Sequence, residues 1–284
     1  MEKILILARP TDPDFYKRWW EIGAVVMPGD PCDDVSILVT DQHAPVSGED
    51  IQLFPKLKYV CSANTGHTHL RFDPDKYGIK LITLKGESEF LSTITSVAEF
   101  TFHLILSMTR DVPNVGIRLS GKTIGIVGCG RIGTQVHKIA KGFGMNLLEV
   151  DKGSKKSSWT LLFKESDFVS IHLNEEEKNN KIIGRELLSL MKPTSYFINT
   201  ARGSLVDEEC LAGMLETDKI AGAAVDVVDG PYLTAHTRNL LMTPHIAGNT
   251  LEDRIATDVF IVEKTKKLLR GSRLLHNMKQ LSVN

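Results

Sequence analysis

Three glycines at fixed spacing form the strongest chemical signal in the sequence. Gly128, Gly130 and Gly133 make a GxGxxG pattern between an apolar run of strand length and a helix-forming segment, in TIGIVGCGRIGTQVHKIA. The first glycine of such a loop permits a tight turn, the second lets the backbone approach a pyrophosphate, and the third lets helix and strand lie close together. The helix N-terminus, where Arg131 and Ile132 lie, then offers amide groups to the anion. The pattern predicts a dinucleotide site.

The identity of the dinucleotide depends on the residues that follow the next strand. Asp151 ends that strand about eighteen residues after Gly133, where a carboxylate can accept both hydroxyls of a ribose and repel a 2′-phosphate. Lys152, Lys155 and Lys156 follow directly and could pair with a 2′-phosphate, although lysines in such loops are usually solvated. The sequence favours NAD, with NADP as the alternative.

Arg202 and His245 are the candidate groups for chemistry at a bound nicotinamide. Reduction of a carbonyl needs a proton donor for the oxygen, and a carboxylate substrate needs a cation to hold it. Arg202 lies in INTARGSLVD just after a predicted strand, and ligands of open α/β sheets gather at the carboxyl ends of strands. His245 lies in LMTPHIAGNT. Taken singly, each would be read as an ordinary loop residue.

Composition excludes several other classes of function. A net charge of -1 and a pI near 6.8 give no general attraction for nucleic acid or for an anionic membrane surface. The four cysteines, at positions 32, 61, 129 and 210, form no CxxC pair, so neither a disulfide framework nor a zinc site is indicated. The first apolar run is too short for a signal peptide or a membrane span. We therefore expect a cytoplasmic protein.

Apolar runs of strand length alternate with helix-length segments along the whole chain. Such a pattern predicts mostly parallel sheets covered on both faces. We predict two doubly wound α/β domains: residues 1–95, completed by a C-terminal helix in about 251–284, and residues 96–250. The runs are KILILA, VSILVT, LKYVCSA, IKLITL, KTIGIVG, NLLEVD, DFVSIHL, SYFINT and AGAAVDVV.

These segments together resemble the D-isomer-specific 2-hydroxyacid dehydrogenases, the family that includes D-3-phosphoglycerate dehydrogenase, glyoxylate reductases and D-lactate dehydrogenase. The segments that carry the resemblance occur in the family's order through most of the chain. They are LKYVCSANTGHTHL, SVAEFTFHLILSMTR, LSGKTIGIVGCGRIG, ESDFVSIHL, IIGRELLSLMKPTSYFINTARGSLVDEECL, IAGAAVDVV and TPHIAGNT. The resemblance implies that the larger domain is a Rossmann NAD-binding domain and the smaller a flavodoxin-like substrate domain.

The resemblance also implies roles for matching residues. Arg202 would hold the substrate's carboxylate and carbonyl oxygen, because its planar fork suits two oxygens. His245 would be the general acid and base, and Asp226 would contact the nicotinamide carboxamide. Further residues expected along the cofactor are His172, Thr200, Ala201, Ala247 and Gly248, and the expected substrate-binding amides, from the first domain, lie around Asn64, Thr65 and Gly66.

One catalytic residue of the family is absent from this sequence. The family carries a glutamate in a stretch like DVFxxEP, where this chain reads DVVDGPY. A carboxylate beside an imidazole raises its pKa, so without one His245 should protonate at lower pH. We expect reductase activity to fall off at lower pH than in a glutamate-bearing relative. The alternative is that Asp229 shifts in its loop and substitutes.

Other departures concern assembly and secondary sites. The family resemblance implies a homodimer, but the segment between Arg110 and Gly121, which contributes to the family's dimer arm, is short here. Asn174 replaces a proline expected near the adenine. His67 and His69 form an HxH pair without a third ligand at suitable spacing, so we predict no metal and regard a substrate contact by one of them as more plausible.

The sequence thus predicts an NAD-dependent oxidoreductase that interconverts a small 2-oxo acid and a D-2-hydroxy acid. A catalytically weak or inactive NAD-sensing protein of the same fold is the alternative, since the family includes a transcriptional corepressor. The missing glutamate supports the alternative, while Arg202 and His245 argue against it because binding alone requires neither. The expected partners are a small acid and a second copy of the chain.

Overall fold

The computed structural model describes residues 2–67, 69–110, 115–176 and 179–281, with side chains described as far as residue 271. It divides into two compact units, which we call unit 1 (Met1–Leu91 and Thr250–Asn284) and unit 2 (Ser92–Asn249). The corresponding boundaries predicted from the sequence lie at 95/96 and 250/251. Part of the shortened segment after Arg110, residues 111–114, lies outside the described residues.

Thirteen strands are present in the described residues. They are β1 Glu2–Ile6, β2 Gly23–Val26, β3 Ile37–Thr40, β4 Val46–Ser47, β5 Tyr59–Ser62, β6 Leu70–Arg71, β7 Lys80–Ile82, β8 Thr123–Val127, β9 Asn146–Val150, β10 Phe168–Ile171, β11 Tyr196–Asn199, β12 Gly222–Val225 and β13 Leu240–Met242.

Nine α-helices accompany these strands in the same residues. They are α1 Phe15–Trp20, α2 Gly48–Gln52, α3 Ser88–Leu91, α4 Ser96–Thr109, α5 Arg131–Gly142, α6 Lys156–Glu165, α7 Arg185–Leu188, α8 Glu208–Glu216 and α9 Leu251–Leu281. A 3-10 turn spans Gly203–Leu205.

Unit 1 is built on a parallel five-stranded sheet. Its strand order is β2-β1-β3-β5-β7, which is the flavodoxin-like order of a doubly wound sheet. All four residues of β3 are buried, as expected for an inner strand covered on both faces. The C-terminal helix α9 packs Ile261, Val262 and Leu269 into the same core as Trp19. It continues to Leu281.

Unit 2 is built on a parallel six-stranded sheet of order β13-β12-β11-β10-β8-β9. Residues of α4 and α5 pack on one face, and residues of α6 and α8 pack on the other. The chain therefore changes direction across the sheet between β8 and β10, where doubly wound folds bind their ligands. In the described residues no strand lies outside β9, where the dinucleotide-binding order 3-2-1-4-5-6 has its third strand, and β13 adds a strand at the opposite edge. The predicted two-domain α/β fold is confirmed.

The apolar helix α4 owes its composition to burial in unit 2. The stretch Ser88–Thr109 is long and apolar enough to cross a membrane by length and composition alone, with a mean hydropathy of 1.3. Within it, Ala98, Phe102, Leu104 and Ile105 are buried in one core cluster with strands β8 and β10. Packing on a sheet is sufficient to account for these residues.

Candidate active site

The glycine loop between β8 and α5 has the geometry expected of a dinucleotide site. Gly128 has a φ of +103°, and a Cβ there would lie 2.7 Å from the carbonyl carbon of His172. A Cβ on Gly133 would lie 1.9 Å from the carbonyl oxygen of Gly128. By contrast, a Cβ on Gly130 would meet nothing within 4 Å. Two glycines are thus required by the protein itself, and Gly130 faces space that a ligand could fill.

Helix α5 begins at Arg131 directly after this loop. The first amides of an α-helix point out of its N-terminus, which makes this end suitable for an anion. The guanidinium of Arg131 donates to the carbonyl of Ile94 at 3.5 Å. In this structure its side chain therefore contacts the segment before α4.

Asp151 lies at the end of β9, as predicted, and its carboxylate borders the glycine loop. It accepts hydrogen bonds from the amides of Cys129 at 3.1 Å and Lys152 at 2.8 Å. Lys152 forms an ion pair with Glu176, and Lys156 forms an exposed one with Glu186 at 3.2 Å. These two lysines therefore already have carboxylate partners.

A cavity of about 630 Å³ is lined in part by residues of the segment that follows Asp151. Its lining is Lys152, Ser154, Lys156, Trp159, Lys181, Ile182, Gly184, Arg185, Glu186 and Leu187. Apolar surface with a few polar groups is typical of sites for small molecules and cofactors. Trp159, Ile182 and Leu187 provide the apolar surface here.

His172 follows β10 and packs beside the glycine loop. Its Nε2 lies 2.8 Å from the hydroxyl of Ser170, and its Nδ1 is buried without a hydrogen-bond partner in the described residues. Burial lowers the pKa of His172 to about 3, so the ring is neutral. A buried polar atom without a partner commonly marks a missing ligand or water. The loop and this histidine together fit a bound dinucleotide.

The loop after β11 is held by Asn199, which the sequence analysis did not identify. Its side-chain oxygen accepts from the amide of Ala201 at 3.0 Å, and its amide nitrogen donates to the carbonyl of Arg202 at 2.9 Å. The hydroxyl of Thr200 lies 3.2 Å from that of Thr101 in α4. Both Asn199 and Thr200 are buried. This network fixes the backbone from which the Arg202 side chain extends.

The carboxylate of Asp226 holds the loop that carries His245. Asp226 is buried after β12 and accepts hydrogen bonds from the Thr243 hydroxyl at 2.5 Å and from the amides of Ile246 and Ala247, both at 2.8 Å. The amide of His245 donates to the Asp226 carbonyl at 2.9 Å. His245 has a φ of +57°, a left-handed conformation that non-glycine residues adopt at a cost. The aspartate therefore stabilises the strained turn at the histidine.

We expect Asp226→Asn to reduce both stability and activity. One terminal atom of the new side chain becomes an amide donor that faces another donor, which costs about 1–3 kcal/mol. Thermal unfolding and steady-state kinetics measure the two effects. Asp229→Asn is the matched control, because Asp229 is exposed in the same segment. Equal melting temperatures for wild type and Asp226→Asn would contradict this role.

The electrostatic surroundings of His245 include Arg202. Partial burial of the imidazole, the positive charge of Arg202 and, in the opposite sense, the negative charge of Asp226 together lower the pKa of His245. The residue nevertheless remains accessible to solvent. Partial burial is the largest cause of the lowered pKa. The expectation that His245 protonates at lower pH than in a glutamate-bearing relative stays a prediction. In unit 2, Arg202 follows β11 and His245 follows β13, at the same edge of one sheet, and the charge of Arg202 acts on His245.

Asp229 does not replace the missing glutamate in this structure. It is exposed, and it makes no hydrogen bond or ion pair with His245 in the described part of the chain. Instead, the buried carboxylate of Glu208 accepts from the amides of Asp229 at 2.9 Å and Gly230 at 2.9 Å. Sequence reasoning missed Glu208, whose only signal is an acidic residue in the first turn of α8.

The predicted substrate loop lies in unit 1, after β5. The amide of Asn64 donates to the Ser62 hydroxyl at 3.3 Å, while the amides of Thr65 and Gly66 make no hydrogen bond within the described residues. The Nε2 of His69 lies 2.9 Å from the Ser62 hydroxyl, and both residues are buried. Across the residues described, no group of three metal-ligating side chains occurs.

Comparison with known proteins identifies the family. Residues 85–247 match the model of the D-isomer specific 2-hydroxyacid dehydrogenase, NAD binding domain. A D-3-phosphoglycerate dehydrogenase from Methanocaldococcus jannaschii is 33% identical over 312 aligned positions, covering 95% of this chain and 58% of the relative. The chain therefore belongs to the D-isomer specific 2-hydroxyacid dehydrogenase family, and it spans little more than half the length of that relative.

Two further similarities bear on size and fold. A hydroxypyruvate reductase from Thermotoga maritima is 31% identical, over 83% of this chain and 85% of the relative. The solved structure of an acyclic imino acid reductase in complex with NADPH and D-Arg shares 25% identity and a TM-score of 0.77. That match covers 95% of this chain and 97% of the other.

Proposed function

We propose that the protein is an NAD(H)-dependent oxidoreductase that interconverts a small 2-oxo acid and a D-2-hydroxy acid. The observation that supports the proposal is that Arg202 and His245 follow strands of one sheet, at its carboxyl edge, and that the charge of Arg202 lowers the pKa of His245. Dinucleotide binding alone requires neither residue. Membership of the dehydrogenase family supports the same conclusion.

Each residue of the site has a distinct part in this reaction. Arg202 binds the substrate's carboxylate and polarises its carbonyl oxygen. Protonated His245 donates to that oxygen during reduction, and neutral His245 removes the proton during oxidation. Asp226 and Asn199 keep these two side chains in place through the bonds described above. The nicotinamide, when bound, supplies or accepts the hydride.

We propose NAD rather than NADP as the cofactor. Asp151 sits where a carboxylate binds ribose hydroxyls and repels a 2′-phosphate. Two of the lysines that could offset this repulsion are paired with Glu176 and Glu186. Residues proposed to hold the dinucleotide are Gly128, Gly130, Arg131, Ile132, Gly133, Asp151, His172, Thr200, Ala201, Asp226, Ala247 and Gly248.

The remaining elements of the proposal concern unit 1 and the assembly. We propose that the amides of Thr65 and Gly66, with Asn64, bind the substrate's carboxylate, since among the described residues the amides of Thr65 and Gly66 have no hydrogen-bond partner. A homodimer and a cytoplasmic location stay predictions. Size-exclusion chromatography with light scattering tests the first of these.

A substrate panel tests the function and its pH dependence together. Because reduction needs protonated His245 and its pKa is lowered, kcat/KM for reduction should decline as pH rises through a value below 6.5. NADH oxidation would be followed with glyoxylate, pyruvate, hydroxypyruvate, phenylpyruvate and 2-oxoglutarate between pH 5 and 8. A profile that stays flat to pH 7.5 would argue against the assigned proton donor. Tight NADH binding without turnover of any acid would favour the NAD-sensing alternative.

A further inference from the structure

The carboxylate of Glu175 lies against Arg202. Glu175 belongs to the segment after β10, and Arg202 to the loop after the neighbouring strand β11. Glu175 Oε2 is 3.5 Å from Arg202 Nε, and Glu175 Oε1 accepts from the Ser204 hydroxyl at 2.8 Å. The two charged side chains are 43% and 32% exposed, so solvent and a substrate can both reach them.

This contact occupies part of the surface through which an arginine binds carboxylates. Bidentate binding uses two parallel N–H groups of the guanidinium. Arg202 Nη1 donates to the carbonyl of Ala201 at 2.6 Å, and Nε faces Glu175. Within the described residues Nη2 makes no hydrogen bond. The Nε edge of the guanidinium therefore includes a donor that already faces Glu175, and a substrate carboxylate on that edge competes with Glu175.

The negative charge of Glu175 also acts on the substrate's own charge. A like charge several ångströms away in a partly solvated site weakens binding by about three- to tenfold. A substrate with a second negative charge experiences this repulsion twice. Glu176, the next residue, pairs with Lys152, so its charge has a partner away from Arg202.

We propose that Glu175 determines substrate specificity by selecting 2-oxo acids with a single negative charge over those that carry a second carboxylate or a phosphate. This inference rests on the proposed role of Arg202. It assigns a residue outside the predicted catalytic pair, and it identifies the preferred substrates as small monocarboxylates.

The test compares Glu175→Gln with the matched control Glu176→Gln. Glutamine keeps an oxygen that can accept from Arg202 and removes the charge. Measurements are kcat/KM for glyoxylate and oxaloacetate, and dissociation constants of oxamate and oxalate from the NADH complex by fluorescence titration. Oxamate should bind about three- to tenfold more tightly to Glu175→Gln than to the wild type. The preference for oxaloacetate over glyoxylate, and for oxalate over oxamate, should rise by about threefold or more in the same variant. Glu176→Gln should keep the wild-type preference.

Several outcomes overturn the proposal. The first is that Glu175→Gln has the wild-type preference between singly and doubly charged ligands, and the second is that Glu175→Gln and Glu176→Gln change this preference equally. The third is that oxamate binds more weakly to Glu175→Gln than to the wild type. The fourth is that neither oxamate nor oxalate binds to the wild-type NADH complex. Weaker binding would mean that Glu175 only positions Arg202. Absence of turnover by the wild type contradicts the proposed function instead, and the titrations still decide the role of Glu175.

Discussion

His245→Asn should reduce kcat for 2-oxo acid reduction by about 10²- to 10⁴-fold, the usual contribution of a positioned general acid. Asparagine cannot donate a proton from a titrating ring, yet it adopts left-handed backbone readily, so the turn at φ +57° should persist. The NADH dissociation constant should stay close to the wild-type value. Stopped-flow reduction with saturating substrate measures the chemical step.

Two results would separate proton transfer from structural damage. If the variant loses activity and its melting temperature also falls by many degrees, the loss has a structural origin. If activity persists within a few-fold of wild type, another group donates the proton. Asp229→Asn, tested alongside, shows whether that nearby carboxylate contributes.

Gly133→Ala should destabilise unit 2 more than an alanine substitution at a glycine with open space around it, such as Gly130. The new Cβ would lie 1.9 Å from the Gly128 carbonyl oxygen, so the glycine loop or α5 must move. Overpacking of this kind costs about 1–3 kcal/mol, and a backbone neighbour cannot rotate away as a side chain can. Thermal unfolding should show a drop of about 2–4 °C for each kcal/mol.

Gly130→Ala is the matched variant for this experiment. Its Cβ meets nothing within 4 Å, so the melting temperature without cofactor should be unchanged. The methyl group would fill the space reserved for a pyrophosphate, and the NADH dissociation constant should rise by about tenfold or more. Wild-type NADH affinity in Gly130→Ala would mean that no ligand approaches this part of the loop.

The sequence predicts the inner strands of both sheets and is weaker at their edges. β3, β10 and β12 are buried throughout, so each gives a continuous apolar run. Of the four edge strands, β7 and β9 lie in the predicted runs IKLITL and NLLEVD, whereas the short, partly exposed strands β2 and β13 were not predicted. Parallel strands joined through helices also carry no local signal of their order, which depends on packing.

In the candidate site, too, the sequence predicts residues that lie in contiguous motifs and does not predict contacts between segments that are far apart in the chain. The glycine loop, Asp151, Arg202 and His245 lie in contiguous motifs that can be recognised in the sequence. The contacts of Glu208 with residues 229 and 230, and of Glu175 with Arg202, join segments more than twenty residues apart. No spacing rule predicts such pairs, because the fold alone brings their backbones together.

Because β9 lies at the edge of its sheet, a fold of this kind can gain or lose residues or a strand beyond β9 while the catalytic side chains keep their positions. Loss of an edge strand removes one hydrogen-bonded ladder, whereas loss of an inner strand would remove two and split the sheet. Arg202 and Asp226 follow β11 and β12, which both have neighbours on either side. Insertions and deletions after Asp151 therefore alter only the surroundings proposed for the adenosine. This makes the segment from 152 to 155 the natural place to graft a longer loop when cofactor preference is to be engineered.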